Sequence, residues 1–472
     1  MMRPSRTVGV LVASELFAAV VGFGALILLA RRLGARGFAD FEYASAVAAW
    51  WLVVVRGGFD SIVYREAARR PRLVGPLTDL LLGLRLVSAL VGLAAVLAFA
   101  TFSGGGRGSV VAMAGLVLVP SALAGDVGLR ASGRAGGLAL AQAIRAVGLA
   151  CGVAWLVRGP EDASTAAACV VAAECASSAV LVAIHRASHG PIRPRFRRRA
   201  WSVLAGRGAV AGTSRFARVG LYAGDLLVLG ALAPAGLGPY AAARRLAFAL
   251  LALGLVVPSA VAPWVARAWA AGTAETRALL SRAFEGLMLV ALPATVGLMA
   301  TADRWMPRLF GEGFREAGPW LALVAARLPF VLASNLQQTA LVACRREGLA
   351  LKLVLAMAGL GVAILPALAT EIGPRGVALG VLAIEAAGAV GGWFALRSLG
   401  IAPPWHHGSA PALAGCLALA ASCHAGAKWP LPAVVVAGAV AYGAVTLACD
   451  ARGRARLRLP LASRVPAGGT TS

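Results

Sequence analysis

Charge is scarce in this sequence. Charged residues make up 14% of 472 positions, against 59% apolar. A soluble domain carries about a quarter charged and about half apolar residues. The shortfall excludes a soluble globular enzyme, a disordered chain and a protein that only rests on a membrane surface. Lysine is almost missing: of 45 bases, only Lys352 and Lys428 are lysine. Histidine is rare, and none of His185, His189, His406, His407 and His424 stands at metal-ligand spacing; His406-His407 reads as a surface pair in a cytoplasmic loop. The cysteines (151, 169, 175, 344, 416, 423 and 449) form no CxxC and no Cys/His set. Inside apolar runs they act as small hydrophobes, so neither a disulfide nor a metal is expected. There is no P-loop, GxSxG or HExxH, which removes an ATPase, a serine hydrolase and a zinc peptidase of those types. No enzyme and no cofactor is expected.

Long apolar runs are what the chain has instead, with a mean hydropathy of +0.79. A hydrocarbon layer of ~30 Å takes about 20 helical residues. Fourteen windows qualify: 8–30, 42–64, 80–102, 110–129, 135–157, 165–184, 208–232, 239–262, 281–302, 318–342, 350–370, 376–396, 409–426 and 431–449. Gly, Pro, His and Lys interrupt the last two. The windows are continuous rather than alternating, which means helices and not barrel strands. The first, Val8–Ala30, is followed by Arg31-Arg32-Leu33-Gly34 rather than a small-residue cleavage site, so it reads as a span and not a leader.

The net charge of +25 lies mostly between windows, which makes it a topology signal and gives no reason to expect nucleic acid. With the N terminus inside, 27 bases fall in cytoplasmic segments and 10 in outer ones. That bias places both termini in the cytoplasm of a multi-pass protein of the inner membrane. The basic tail run Arg452-Gly453-Arg454-Ala455-Arg456 argues the same way.

The longest basic stretch, His185–Arg199, holds six Arg, two Pro and no acid. It serves as a linker and topology anchor, or as a landing patch for anionic lipid head groups. The halves beside it resemble each other weakly: Gly37-Phe38-Ala39-Asp40-Phe41-Glu42-Tyr43-Ala44 and Gly236-Leu237-Gly238-Pro239-Tyr240-Ala241-Ala242-Ala243 lie 199 residues, or six windows, apart. Six is even, so the copies share orientation, as in a parallel repeat about the membrane normal. The expected division is a six-helix lobe over 1–184, a basic linker over 185–207, a second six-helix lobe over 208–397, and two further helices with a basic tail over 398–472. Lobes that rock against each other are a transport architecture.

Charges inside windows cost ~2.5–3.5 kcal/mol each at mid-helix, so they should face each other or water. Glu15, Arg145, Glu174, Asp225, Arg327 and Glu385 are the deepest. Arg56 and Asp60 are spaced i, i+4 and should share a helix face, either as a self-neutralising pair or on a cavity wall. Arg215, Arg218, Tyr222 and Asp225 form one stripe. Arg327, Ser334, Asn335 and Gln338 form another, as cavity lining or as helix–helix glue. Arg145 and Glu174 can pair with each other, and Arg244-Arg245 can snorkel to an interface. The expected cavity set is Arg56, Asp60, Arg145, Arg215, Arg218, Asp225, Arg327, Asn335 and Gln338, whose arginines suit an anionic cargo because guanidinium grips phosphate bidentately. Glu15 and Asp225 are the acids expected to carry a coupling ion.

Five stretches carry a family resemblance. Leu29-Ala30-Arg31-Arg32-Leu33-Gly34-Ala35-Arg36-Gly37-Phe38, with Phe41 and Tyr43-Ala44, resembles the first hairpin of Wzx-type polysaccharide flippases. These belong to the multidrug/oligosaccharidyl-lipid/polysaccharide (MOP) exporter superfamily. Gly58-Phe59-Asp60-Ser61, then Tyr64-Arg65-Glu66-Ala67-Ala68-Arg69, is similar to the end of their second helix. Asp225, Gly238-Pro239-Tyr240 and Ala243-Arg244-Arg245-Leu246 resemble their helix 7–8 signature. Leu309-Phe310-Gly311-Glu312-Gly313-Phe314 is similar to the outer loop before helix 10, and Asn335, Leu341 and Arg345 to the end of that helix. The likeness spans roughly residues 8–400. It departs where Ala and Arg replace bulkier apolar and Lys positions.

The resemblance implies an all-α polytopic protein with two six-helix, MATE-like lobes plus two C-terminal helices. It implies movement of a polyprenyl-pyrophosphate-linked oligosaccharide from the inner to the outer leaflet for polysaccharide biosynthesis. Coupling to H+ or Na+, contact with membrane lipids and work beside a polymerase machinery go with it. A cation-coupled multidrug exporter and a peptidoglycan-precursor flippase are the near alternatives. An integral-membrane glycosyltransferase or polymerase is the alternative of another class, but its catalytic residues need a larger outer loop than Asp303 to Pro319. A structural scaffold does not need the buried charges.

Overall fold

The computed structural model describes residues 4–254, 256–404 and 409–449. The tail arginines and His406-His407 lie outside the described residues. Among the described residues, every regular element is a helix. Ten stretches are long and apolar enough to cross a membrane. In lipid the backbone has no water to bond, so each apolar run closes its own hydrogen bonds as helix.

The N-terminal bundle begins with α1 (Pro4–Arg56), which turns back on itself at Gly34 (φ 64°, ψ −178°), a left-handed conformation that favours glycine. α2 (Phe59–Arg69) follows past Gly57 and Gly58 (φ 48° and 72°). Next comes α3 (Val74–Ser103), then a broken span made of α4 (Gly105–Gly115), α5 (Leu118–Leu123) and α6 (Asp126–Ala131). Pro120 cannot donate to the Leu116 carbonyl, and Ala124 is extended, so this window is interrupted twice. α7 (Ala135–Leu156) and α8 (Ala163–His189) complete the bundle. Ahead of α8, the Arg158 and Gly159 backbone N–H groups donate to Asp162 Oδ2 at 2.7 and 3.0 Å, which holds that exposed carboxyl below its usual range.

The C-terminal bundle contains α9 (Arg198–Leu232), α10 (Leu237–Gly254), α11 (Val256–Ala271), α12 (Thr273–Ala300), α13 (Ala302–Phe310), α14 (Gly318–Ala326), α15 (Leu328–Ala343), α16 (Glu347–Glu371) and α17 (Pro374–Ser398). Then come α18 (Ser409–Ala425) and α19 (Leu431–Cys449). These two pack on each other and on α12, where Tyr442 Oη donates to the Leu289 carbonyl at 2.7 Å. All fourteen windows fall on helix, including the last two.

The chain runs back and forth between the end bearing the N terminus, here the near end, and a far end. At the near end, α8 and α9 extend into the expected linker from both sides, leaving 190–197 without helix. This segment is pinned across α3. The Arg193 and Arg195 N–H groups donate to Asp79 Oδ1 and its carbonyl, each at 3.0 Å, and the Arg195 guanidinium lies 3.6 Å from the carboxylate.

The bundles meet most tightly at the far end. One apolar core runs through both and holds Leu33, Phe38, Tyr240, Phe310 and Phe314. The two halves of the weak repeat face each other there: a β-carbon on Gly238 would collide with the Ala35 carbonyl, so the backbones touch. Arg31 reaches the carbonyls of Arg308 and Leu309, the latter at 2.7 Å. Arg107 bonds Asp40 at 2.8 Å and the Gly230 carbonyl at 2.7 Å. Glu42 of α1, fully buried, receives Arg245 of α10 at 2.9 Å. Arg245 therefore bridges the bundles and does not snorkel.

Candidate functional site

The deep charges sort into two clusters. The first lines a cavity of about 500 Å³ at the near end, walled by α1, α2, α6, α7 and α9. Arg56, Arg130 and Arg215 face it together with Glu15, Asp60, Asp126 and Gln142. Behind the wall sits Arg85, whose side chain is wholly buried. It lies 2.6 Å from Asp60 and 3.1 Å from Asp126, and it donates to the Ala124 carbonyl at 3.0 Å. The break before α6 is what frees that carbonyl. Arg85 thus holds both wall aspartates and leaves the cavity arginines less neutralised. Arg56 Nε is buried and bonds no described residue.

This corrects two expectations. Arg56 and Asp60 do not share a helical face, because Gly57-Gly58 breaks the helix between them and Asp60 turns to Arg85. Arg85 counted among the cytoplasmic topology charges, yet it is the buried anchor of the site.

The second cluster is sealed inside the C-terminal bundle, around Asp225. Asp225 Oδ1 takes the Leu226 N–H at 2.8 Å. Its Oδ2 takes the Tyr240 hydroxyl at 2.8 Å and Arg244 Nε at 3.1 Å, with Arg327 at 3.6 Å. Phe248 lies against both guanidiniums, 4.6 Å from Arg244 and 4.9 Å from Arg327. Arg244 is therefore a buried partner of Asp225 and not an interfacial base. Pro329 breaks the span between α14 and α15, where Arg327 stands. Two turns nearer the cavity, Arg218 donates to Asn335 Oδ1 at 2.8 Å and also binds Gln338 Oε1. Asn335 in turn donates to Tyr222 Oη at 3.0 Å.

The two sequence stripes therefore converge: Arg218, Tyr222 and Asp225 meet Arg327, Asn335 and Gln338. Arg215 parts from its stripe and joins the near-end cavity with Arg56, Asp60 and Glu15. Arg145 joins neither cluster. It stands one turn beyond Gln142 and lies 3.8 Å from Glu174, which also accepts from Ser121. Arg85, Tyr240, Arg244 and Glu42 were not among the expected site residues. Glu42 stands in the repeated segment and Tyr240 and Arg244 in the helix 7–8 resemblance; otherwise each shows only a charge or hydroxyl near a window end, which is also what a snorkelling residue looks like.

A second cavity, of about 610 Å³, is an apolar crevice between α1, α3 and α9, with Trp50, Trp51, Phe99 and Leu232 on its walls.

No family model matches the sequence, and no curated protein matches it. Solved structures do. A lipid II flippase, MurJ, in an inward closed conformation superposes with a TM-score of 0.76 at 12% identity, covering 95% of this chain and 99% of that one. An inward-facing multidrug resistance MATE family transporter of the MOP superfamily gives 0.62 at 14% identity, over 81% of this chain and 94% of that one. The fold is the one these two transporter structures share. A MOP transporter from Pyrococcus furiosus, whose binding pocket is described as reversed in polarity, gives 0.54 at 14% identity over 83% and 92%. That shared fold accommodates the paired six-helix bundles, and the Wzx-type resemblance fits within it. Helices α18 and α19 add to the twelve.

Proposed function

We propose that the protein is a flippase that moves a polyprenyl-pyrophosphate-linked oligosaccharide from the cytoplasmic to the outer leaflet, for polysaccharide assembly. The observation that carries this reading is the near-end cavity, where Arg56, Arg130 and Arg215 gather in a MOP fold closed at its far end. Arg56 Nε, buried and without a hydrogen-bond partner among the described residues, is a donor that an oxyanion would satisfy. The near end is cytoplasmic in this reading, as the basic segments imply, and both termini lie there. The 1–184 and 208–397 units act as the rocking lobes, with 185–207 as the linker and 398–472 as an added pair of helices and tail.

Cargo enters at the near end, and the cavity arginines take the pyrophosphate. The lipid tail stays in the membrane between the lobes. The lobes then part at the far end, which requires the Arg245–Glu42, Arg107–Gly230 and Arg31–Leu309 contacts to release. Of the two acids expected to carry a coupling ion, Glu15 stands on the cavity wall, whereas Asp225 is enclosed by its donors.

The test is leaflet-resolved lipid analysis of a deletion strain. Polyprenyl-linked glycans are probed in intact spheroplasts with an impermeant reagent. The expected result is an accumulated glycolipid that the reagent cannot reach, cleared by the wild-type gene and not by an Arg56→Ala/Arg215→Ala variant made at equal level. A normal, accessible pool overturns the reading and turns attention to drug export.

A further inference from the structure

The C-terminal cluster contains one acid that its neighbours do not hold. Glu385 is buried, at 4% exposure, in the middle of α17, about 16 Å from the helix start by rise per residue. It forms no ion pair and no hydrogen bond with any described residue. Asp225 is its opposite. Every group bonded to the Asp225 carboxylate is a donor, so a proton arriving there would displace one of them. Glu385 has no donor to displace.

Its charged surroundings come from three directions. α17 packs against α9, which carries Arg218, Tyr222 and Asp225, and against α14 and α15, whose break carries Arg327; these charges act on Glu385 electrostatically. α15 packs one turn further on, where Gln337 donates to the Ala389 carbonyl at 3.0 Å. From α16 the neighbour is Met357, against Gly388. Three arginines, Arg244 and Arg327 buried and Arg218 half-buried, thus share two acids. An ionised Glu385 leaves the cluster with one excess positive charge, and a protonated Glu385 leaves it with two. The added repulsion falls on Arg218 and Arg327, and Arg218 is held only by neutral amides. Arg218 is three residues, one helical turn, from Arg215 on the cavity wall.

We propose that Glu385 is a reversible proton-binding site whose charge sets the grip of Asn335 and Gln338 on Arg218, coupling proton movement to the cargo cavity. Binding places a proton from water on one carboxylate oxygen, and release returns it to water. The site is a reading of the C-terminal cluster alone; its coupling to transport rests on the flippase reading.

Two measurements on the full-length protein in lipid nanodiscs and proteoliposomes separate these. The first is infrared difference spectroscopy between acid and alkaline pH, in H2O and D2O. The expected signal is the C=O stretch of a protonated carboxylic acid with a deuterium shift. It should vanish in Glu385→Gln and remain in Glu15→Gln. No such band, or a band retained in Glu385→Gln, overturns the proposal. Glu385→Asp, which should keep a shifted band, shows that loss of the signal is not loss of fold. The second follows a fluorescent polyprenyl-diphosphate disaccharide in proteoliposomes under an imposed pH gradient. Glu385→Gln should still equilibrate the probe while losing gradient-driven accumulation, by tenfold or more. Equal accumulation in variant and wild type overturns the coupling step. A wild type that moves no probe overturns the flippase reading, and the infrared result still decides the site.

Discussion

The near-end cavity and the Asp225 cluster are built from the same side chains and differ in access to water. In the first, Arg56 is half-buried and Arg215 exposed, and the one sealed residue, Arg85, sits behind the wall. In the second, Asp225, Arg244 and Arg327 are all buried; Asp225 is ringed by donors, and Arg327 Nη2 has no hydrogen-bond partner among the described residues. Charges sealed among one another are out of a ligand's reach, whatever their burial costs. Charges that face a cavity keep free valences. On the flippase reading proposed above, cargo belongs to the first cluster and the shape of the C-terminal bundle to the second.

The sharpest way to break that division is to empty the cavity of guanidinium. Arg56→Ala with Arg215→Ala should lower glycolipid translocation by more than a hundredfold. Two charge-assisted contacts are worth roughly 3–6 kcal/mol together. Thermal stability should hardly change, and translocation measured beside a melting curve checks both halves of the claim. Asp225→Asn should do the reverse first. It leaves two buried arginines short of their acid, a loss of about 3–5 kcal/mol. The readout is unfolding of the purified protein in detergent, with Glu15→Gln as the near-neutral comparison.

A smaller effect is expected where the bundles meet. Glu42→Gln removes the acid from a pair in which Arg245 is 38% exposed, so the loss should be about 1–2 kcal/mol. Its main consequence is a looser far end, read as faster labelling of a cysteine placed at Ala35. Labelling no faster than in the parent would show that the apolar core alone keeps that end shut. Smallest of all is Arg145→Gln. Its pair with Glu174 spans 3.8 Å with the arginine half-exposed, so stability should change by less than ~1 kcal/mol. Translocation should stay within a few-fold of the parent. A loss as large as that of the Arg56/Arg215 variant would place Arg145 in the cargo path after all.

Much of the fold was legible because a membrane simplifies the problem. Apolar length reports a span directly, and every window found its helix, including 409–426 and 431–449, despite their interruptions. The Arg218–Tyr222–Asp225 and Arg327–Asn335–Gln338 stripes were legible from helical spacing, and the structure brings them into contact. What spacing could not show was a break. Gly57-Gly58 separates Arg56 from Asp60, and the interruption before α6 opens the Ala124 carbonyl to Arg85. Periodicity assumes a continuous helix, and the site is built where helices stop.

The sequence by itself determined the class of molecule: its many helices and the placement of basic segments between them follow from apolar length and charge position. Only the tertiary structure decided which charges are free. A buried arginine beside two aspartates and an arginine open to a cavity read alike along the chain, because partners such as Glu42 and Arg245 come from segments 203 residues apart. Whether such a group is saturated or available depends on that packing, and availability is what a binding site consists of.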